Sequence, residues 1–411
     1  MIALLVLALQ TAGAPAPAPG PSPAPLTLGE AVTRARDTSP LRQAAAVLAE
    51  GTARAARLAG RLLNPLMDVR IENLGAGAEV LGVPPDVFTV ATQSLEWPGK
   101  RTVRRAVAEA EGVVATETLA SLERQLALEA VRIYMRAFRA REVLTSLSAT
   151  RTGLATLVDT MARRVTEGVS AESDLLRFQT EAARLDAEVA RTRVDLARAL
   201  AELAALLGVP DVDAARLAAP PNWASLRVER PTALEPLVEA RPEVRVADAR
   251  RLRAEHAAAL ERLRAKPEPA VTGGYKRTAG VNTAVLGVTV AVPLFDRNGQ
   301  AIARAEADAK AAARDVDVVR SRLLADIRAQ LEAAATLAEQ ASRVERDLLT
   351  PAEGVRNAAR ATFREGATDV LKLVDAERVY ADVRREALAV RIDAYVAGIE
   401  ARFALGQEDI P

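Results

Sequence analysis

Residues 93–208 of this chain recur as a pattern at 291–406. Trp97-Pro98-Gly99 stands against Phe295-Asp296-Arg297, Glu167-Gly168 against Glu365-Gly366, and Leu207-Gly208 against Leu405-Gly406. Each pair is 198 residues apart (295 minus 97, 365 minus 167, 406 minus 208). A tandem duplication limits the 411 residues to two copies of one unit, rather than two or three unrelated domains. The copies are read as 26–211 and 233–408, joined by a connector at 212–232 and preceded by a segment at 1–25.

Within each copy the hydrophobic period changes. Thr27 and Glu30 form a capping box that opens a helix carrying Leu28, Ala31, Val32 and Ala35, running past Pro40 to about Leu63. Leu234, Leu237, Val238 and Pro242 open the second copy in the same way. Met67, Val69 and Ile71 then alternate with Asp68, Arg70 and Glu72, the period of a two-faced strand. A second strand is expected over 87–96, after a loop rich in Gly and Pro. The counterparts are 270–276 and 283–294, the latter with Ala284, Leu286, Val288, Val290 and Val292 on one face. Such lengths suit tilted membrane strands, but four strands cannot close a barrel, for which about eight are needed. Either the strands form a soluble sheet or several chains share one barrel.

Between Lys100 and Val165 no proline intervenes, and a helix of that length extends ~100 Å at ~1.5 Å per residue. Ala140, Leu144, Leu147, Leu154, Val158, Met161 and Val165 follow a 4-3 spacing with Arg151 as the exception, a coiled-coil seam. Glu167-Gly168 provides a left-handed stop, and Ser170 or Ser173 caps the helix returning to Leu207. The second hairpin runs from about Gln300 to Arg364, turns at Gly366 and returns to Leu405, with a kink expected at Pro351. The fold class is therefore mostly α with β: duplicated long coiled-coil hairpins plus four strands. Aromatics at 3% fit helices packed by small and aliphatic side chains.

Composition narrows function. A formal net charge of +1 leaves no electrostatic footprint for nucleic acid. The absence of cysteine excludes disulfides, thiolate catalysis, Cys-ligated metal and lipidation through a lipobox cysteine. His256 is the single histidine, in an Ala-rich helical run, and is read as a packed or exposed helix residue. No phosphate loop or paired-carboxylate arrangement stands out, so neither enzyme, cofactor nor bound metal is expected. Ile2–Leu9 resembles the apolar core of a secretory signal without a basic lead, with Ala12-Gly13-Ala14 as a cleavage site. The stretch 14–25, APAPAPGPSPAP, is an extended tether.

This plan resembles the TolC-type outer-membrane efflux factors. The resemblance rests on Leu26-Thr27-Leu28-Gly29-Glu30-Ala31 leading to Ser39-Pro40, on Leu95-Glu96-Trp97-Pro98-Gly99-Lys100-Arg101, and on Val292-Pro293-Leu294-Phe295-Asp296-Arg297-Asn298-Gly299. It includes Glu365-Gly366-Ala367-Thr368-Asp369-Val370-Leu371 with Asp375-Ala376-Glu377, and covers nearly the whole chain after the tether. The junctions most resemble the heavy-metal branch, outer-membrane partners of proton-driven cation exporters.

The resemblance implies a homotrimer with one 12-stranded β-barrel in outer-membrane lipid and an α-helical barrel in the periplasm. It implies passive conduction, with a periplasmic adaptor and an inner-membrane exporter as partners. It places the pore constriction near the second tip, at Asp375. Lys372 stands where the family has a second acid, with Asp369 one turn away as a substitute. This puts the double acidic ring in doubt and suggests Asp–Lys pairs latching neighbouring helices; the alternative is a solvated helix face with charges three or four apart. Tip turns and adaptor contacts fall at Glu167, Gly168, Val169, Glu365, Gly366 and Ala367. Trp97 and Phe295 become membrane-interface aromatics or, alternatively, packed aromatics filling the barrel neck. A non-conducting periplasmic adaptor or stalk is the rival reading, and cargo (metal cation, drug or secreted protein) stays open.

Overall fold

In a computed structural model, the structure describes residues 25–75, 82, 84–220, 226, 228–365 and 370–410. The expected segment at 1–24 and the tip residues Gly366, Ala367 and Asp369 lie outside them. Helix α1 (Leu28–Thr38) is opened by the Thr27 hydroxyl, which accepts the Glu30 N–H at 3.1 Å. The expected box is only half made: the Glu30 carboxylate pairs with Arg34 instead, at 2.6 Å. Nor does one helix continue to Leu63. Ser39 is extended (φ −54°, ψ 134°), as a residue before proline must be, and α2 (Pro40–Ala59) starts afresh.

Strands β1 (Leu66–Glu72) and β2 (Asp86–Ser94) lead into helix α3 (Lys100–Thr166), which turns back as α4 (Glu172–Leu207). The second copy has α5 (Glu235–Glu239), α6 (Pro242–Arg264), β3 (Glu268–Thr278), β4 (Val281–Ala291) and α7 (Gly299–Arg343). Residues Val344–Leu349 then form a π-helical turn before α8 (Thr350–Arg364) and α9 (Val370–Ala404). The break expected at Pro351 takes this form. Proline has no N–H to donate, and the wider turn, with the Thr350 hydroxyl bonding the Glu345 carbonyl at 3.0 Å, absorbs the mismatch.

The four strands make one antiparallel sheet in the order β1-β2-β3-β4. Its register sorts side chains by face. Met67, Val69 and Ile71 lie beside Ala91, Thr89 and Val87, which lie beside Gly273, Tyr275 and Arg277, and these beside Leu286, Ala284 and Asn282. Toward the helices the same face continues with Val271 and Val288. The opposite face carries Asp68, Arg70 and Glu72, then Phe88 and Thr92, then Thr272 and Lys276, then Thr283 and Thr289. The apolar face is uncovered, with Leu286 87% and Val288 71% exposed.

The largest core packs α1 against the middle of α3 and the ends of α4 and α9, around Tyr134, Phe138, Leu203, Tyr395, Ile399 and Phe403. A second joins Val238, Val244, Ile327 and Leu331 with Ala397, Ala401 and Leu405. The third is the first hairpin's seam: Leu147, Leu154 and Met161 against Phe178, Leu185 and Val189. Arg151, the interruption in that seam, reaches across to Asp186 at 2.8 Å.

Candidate functional site

The hairpin tips, the two strand-to-helix junctions and the sheet are the places where sequence reasoning puts function. At the first tip, Gly168 adopts φ +72°, its N–H donates to the Val165 carbonyl at 3.0 Å, and the Val169 N–H donates to Arg164 at 2.8 Å. This Schellman closure satisfies the last carbonyls of α3. Helix α4 accordingly starts without a side-chain cap: Ala171 is its N-cap, and neither Ser170 nor Ser173 serves. The second copy reaches its tip identically, with Glu365 (φ −80°, ψ −3°) matching Glu167 (φ −80°, ψ −1°). Gly208 and Gly406 close the returning helices with the same motif, 198 residues apart.

At the junctions the copies diverge. The left-handed residues are Gly99 (φ +86°) and Asn298 (φ +59°), 199 apart, so the repeat slips by one residue here. In the first copy basic side chains do the fastening. Arg104 grips the Glu96 carboxylate with two bonds, at 2.7 and 3.1 Å, and also donates to the carbonyls of Ala59 and Arg61, at the end of α2. Lys100 pairs with Glu268 at the start of β3, and Arg101 donates to the Gly60 carbonyl. In the second copy Asn298 does this work, donating to the Glu261 carbonyl at 3.0 Å and to its carboxylate at 2.8 Å. Trp97 is 37% exposed and Phe295 fully exposed.

Near the second tip, Lys372 and Asp375 both lie on the exposed side of α9, while Leu373 and Ala376 face inward. Asp375 pairs with Arg378 at 3.2 Å rather than with Lys372. Three residues separate Asp375 from each, and the more extended guanidinium reaches it. The hairpins meet above this point across a cavity of about 540 Å³, lined by Leu147, Leu154, Phe363, Val374 and several arginines. Arg385 spans the gap from α9 to Glu188 on α4 at 2.7 Å. Arg356 stacks on the Tyr380 ring at 3.6 Å, and Arg360 pairs with Glu377.

Two anchors escaped sequence reasoning. The Tyr134 hydroxyl lies 2.7 Å from the carbonyls of both Leu26 and Ala218, clasping the parallel bridge Leu26–Leu217. Burial pushes its pKa up to about 12. An aromatic with a polar tip on the apolar face of 126–138, beside Leu126, Val131 and Phe138, was the available signal. Buried Arg124 pairs with Glu408 at 2.6 Å and donates to the Phe403 carbonyl, which also receives Arg241 at 3.0 Å. Burial, and then the neighbouring Arg241, lower the Arg124 pKa, while Glu408 opposes them. Arg36 holds the other oxygen of Glu408 at 2.6 Å. Among the described residues no group of three His, Cys, Asp or Glu side chains is placed to hold a metal, and no helix is long and apolar enough to cross a membrane.

Long helical hairpins set against a bare amphipathic sheet have known counterparts. The family model for outer membrane efflux proteins matches residues 234–407. The cobalt-zinc-cadmium resistance protein CzcC of Cupriavidus metallidurans is 26% identical over 321 residues, covering 76% of this chain and 75% of that protein. The stretch 234–407 thus belongs with the outer membrane efflux proteins. The nickel and cobalt resistance protein CnrC of the same organism is 33% identical over 263 residues, 63% of this chain and 61% of that one. The crystal structure of a membrane protein from Pseudomonas aeruginosa shares the fold with a TM-score of 0.77, at 18% identity over 92% of both chains. The protein is thus an outer-membrane channel for tripartite efflux, with its helices in the periplasm. Members of the family form trimers and act with periplasmic adaptors and inner-membrane pumps.

Proposed function

We propose that three copies of this chain close their sheets into one 12-stranded barrel and extend their hairpins into a helical tunnel that carries heavy-metal cations outward. The observation that supports this best is the bare sheet. One face is predominantly apolar, with Arg277 and Asn282 at its turn end, the other carries Asp68, Arg70, Glu72, Thr92, Thr272 and Lys276, and the edges β1 and β4 are unpaired among the described residues. In lipid an unpaired edge costs several kcal/mol for each bare polar group, so edges must meet. Pairing β4 of one protomer with β1 of the next removes every edge, turns the apolar face to lipid and the polar face to a lumen. Trp97 and Phe295, at matching strand ends, then sit at headgroup level.

The metal cargo follows from likeness to the two metal-resistance proteins, with a proton-driven cation pump as the energy source. No catalysis is required of the duct. The duplicated units 26–211 and 233–408 give the trimer a near sixfold periplasmic end, suited to a ring of adaptors. Glu167, Gly168, Val169, Glu365, Gly366 and Ala367 would meet that ring. Asp375, with Asp369 and Lys372 nearby, narrows the pore.

Single-channel recording in planar bilayers tests the reading. Discrete steps that grow on Asp375→Ala are expected; an unchanged step size removes Asp375 from the constriction. A water-soluble monomer that never conducts would overturn the duct.

A further inference from the structure

The polar face of the sheet is not uniform. One row across the register runs Arg70, Phe88, Lys276, Thr283. Arg70 is held between Asp68 at 2.9 Å and Glu72 at 3.6 Å, so its charge is more than met locally and the three together are net negative by one. The row nearer the turns holds Glu72, Asp86, Thr278 and Val281. There the Asp86 carboxylate accepts the Asn73 amide at 3.2 Å and the Ala279 N–H at 3.0 Å. The row nearer the helices holds Asp68, Val90, Gly274 and Val285, with no side chain beside Lys276. At the foot of the sheet Glu268 is taken by Lys100.

Lys276 stands apart from this pattern. Its ammonium lies 4.8 Å from the centre of the Phe88 ring, and among the described residues no carboxylate lies within ion-pair distance of it. An aromatic face attracts a cation without neutralising it. Phe88 therefore holds the charge against the wall, where a carboxylate would have cancelled it.

We infer that Lys276, positioned by Phe88, sets the charge preference of the outer half of the duct. This rests on the barrel proposed above, in which the polar face is luminal and three copies of the pair encircle one lumen. The three ammonium groups favour anions over cations at this level relative to the same wall without them, in either direction of passage. The acidic row at Glu72 and Asp86 lies outside it.

The chain has no cysteine, so a single introduced thiol reports the local potential. Thr283→Cys, opposite Lys276, would be treated in outer membranes with methanethiosulfonates bearing either a sulfonate or a trimethylammonium group. We expect both to react, with the sulfonate favoured relative to its ratio on a free thiol. Adding Lys276→Glu should lower that preference by about threefold or more, from two charge units at a distance under a Debye length. Lys276→Gln should give about half that change on a logarithmic scale. Leu286→Cys, on the apolar face, should be protected from both reagents.

An unchanged ratio in folded protein would overturn the role of Lys276, as would a protected Thr283→Cys beside a reactive Leu286→Cys. In bilayers the reversal potential under a salt gradient should move toward cation preference in Lys276→Glu, and a move toward anions also overturns it. Silent bilayers would count against the duct itself, while the labelling ratio still decides Lys276.

Discussion

The contact between Glu188 and Arg385 joins the two hairpins about 20 residues from their tips, and breaking it should loosen the closed end of the duct. Arg385 donates to the Glu188 carboxylate at 2.7 Å, and both side chains are more than two-thirds buried. Charges ~4 Å apart attract by ~4 kcal/mol at an effective dielectric of 20, and desolvation and lost rotamer freedom reduce the net gain to ~1 kcal/mol. The contact recurs three times in a trimer, so Arg385→Gln should shift the balance toward open by ~3 kcal/mol, roughly 100-fold. The substitution spares the fold, because Glu188 keeps Arg184 at 3.7 Å and Asp382, the other partner of Arg385, is exposed. The assay is open probability in single-channel records of the wild type, Arg385→Gln, Glu188→Gln and the double variant. The single variants should each raise it, and the double variant should add little to either. Fully additive effects, or an open probability unchanged within about twofold, would refute the argument.

Neighbouring glycines in β3 should differ sharply. A Cβ at Gly274 would lie 2.3 Å from the Thr89 carbonyl oxygen, whereas one at Gly273 meets only the Leu286 side chain at 3.8 Å. Gly274→Ala should cost ~1–3 kcal/mol per chain by overpacking, and Gly273→Ala little; heat resistance of the trimer on gels checks both. Tyr134→Phe should cost about 1–2 kcal/mol, because the one hydroxyl proton shared between the Leu26 and Ala218 carbonyls is lost. Its folded pKa of about 12 exceeds the ordinary 10, so the neutral hydroxyl is favoured by folding. Stability tied to it is complete below pH 10 and falls by ~2–3 kcal/mol as pH rises to 12. The phenylalanine variant should lack that increment in alkaline melts.

Much of this was legible before any coordinates. The helices, the four strands and the 198-residue repeat follow from periodicity and from three pairs of punctuating residues, because glycine stops and hydrophobic alternation are local signals. What failed was chosen by tertiary context. Ser170 and Ser173 are good caps by chemistry, but the Schellman closure at Gly168 had already fixed the turn. The clasp of Tyr134 on Leu26 and Ala218 joins residues more than 80 positions apart, which no window along the chain can show.

The repeat also shows which hairpin should move. The first hairpin's seam is Leu154, Met161, Phe178, Leu185 and Val189, with Leu147 at its upper end. The residues 198 positions on are Ala352, Ala359, Ala376, Val383 and Ala387, with Glu345 in the π-helical turn. Four positions step down to alanine, at roughly 1–3 kcal/mol each in buried apolar surface, so the second seam is weaker by on the order of 5–10 kcal/mol. The π-helical turn and Pro351 interrupt the same helix, and the first copy has neither. Local opening draws on segments with few buried apolar contacts. The second hairpin, which carries Lys372 and Asp375, is therefore the arm that yields, and the first is the post against which it closes. Hydrogen exchange measured on the assembled protein should find amides of 352–365 and 371–390 exchanging at least tenfold faster than those of 154–167 and 173–192. Equal protection in the two hairpins, or faster exchange in the first, would show that side-chain size along the seam does not decide which arm moves.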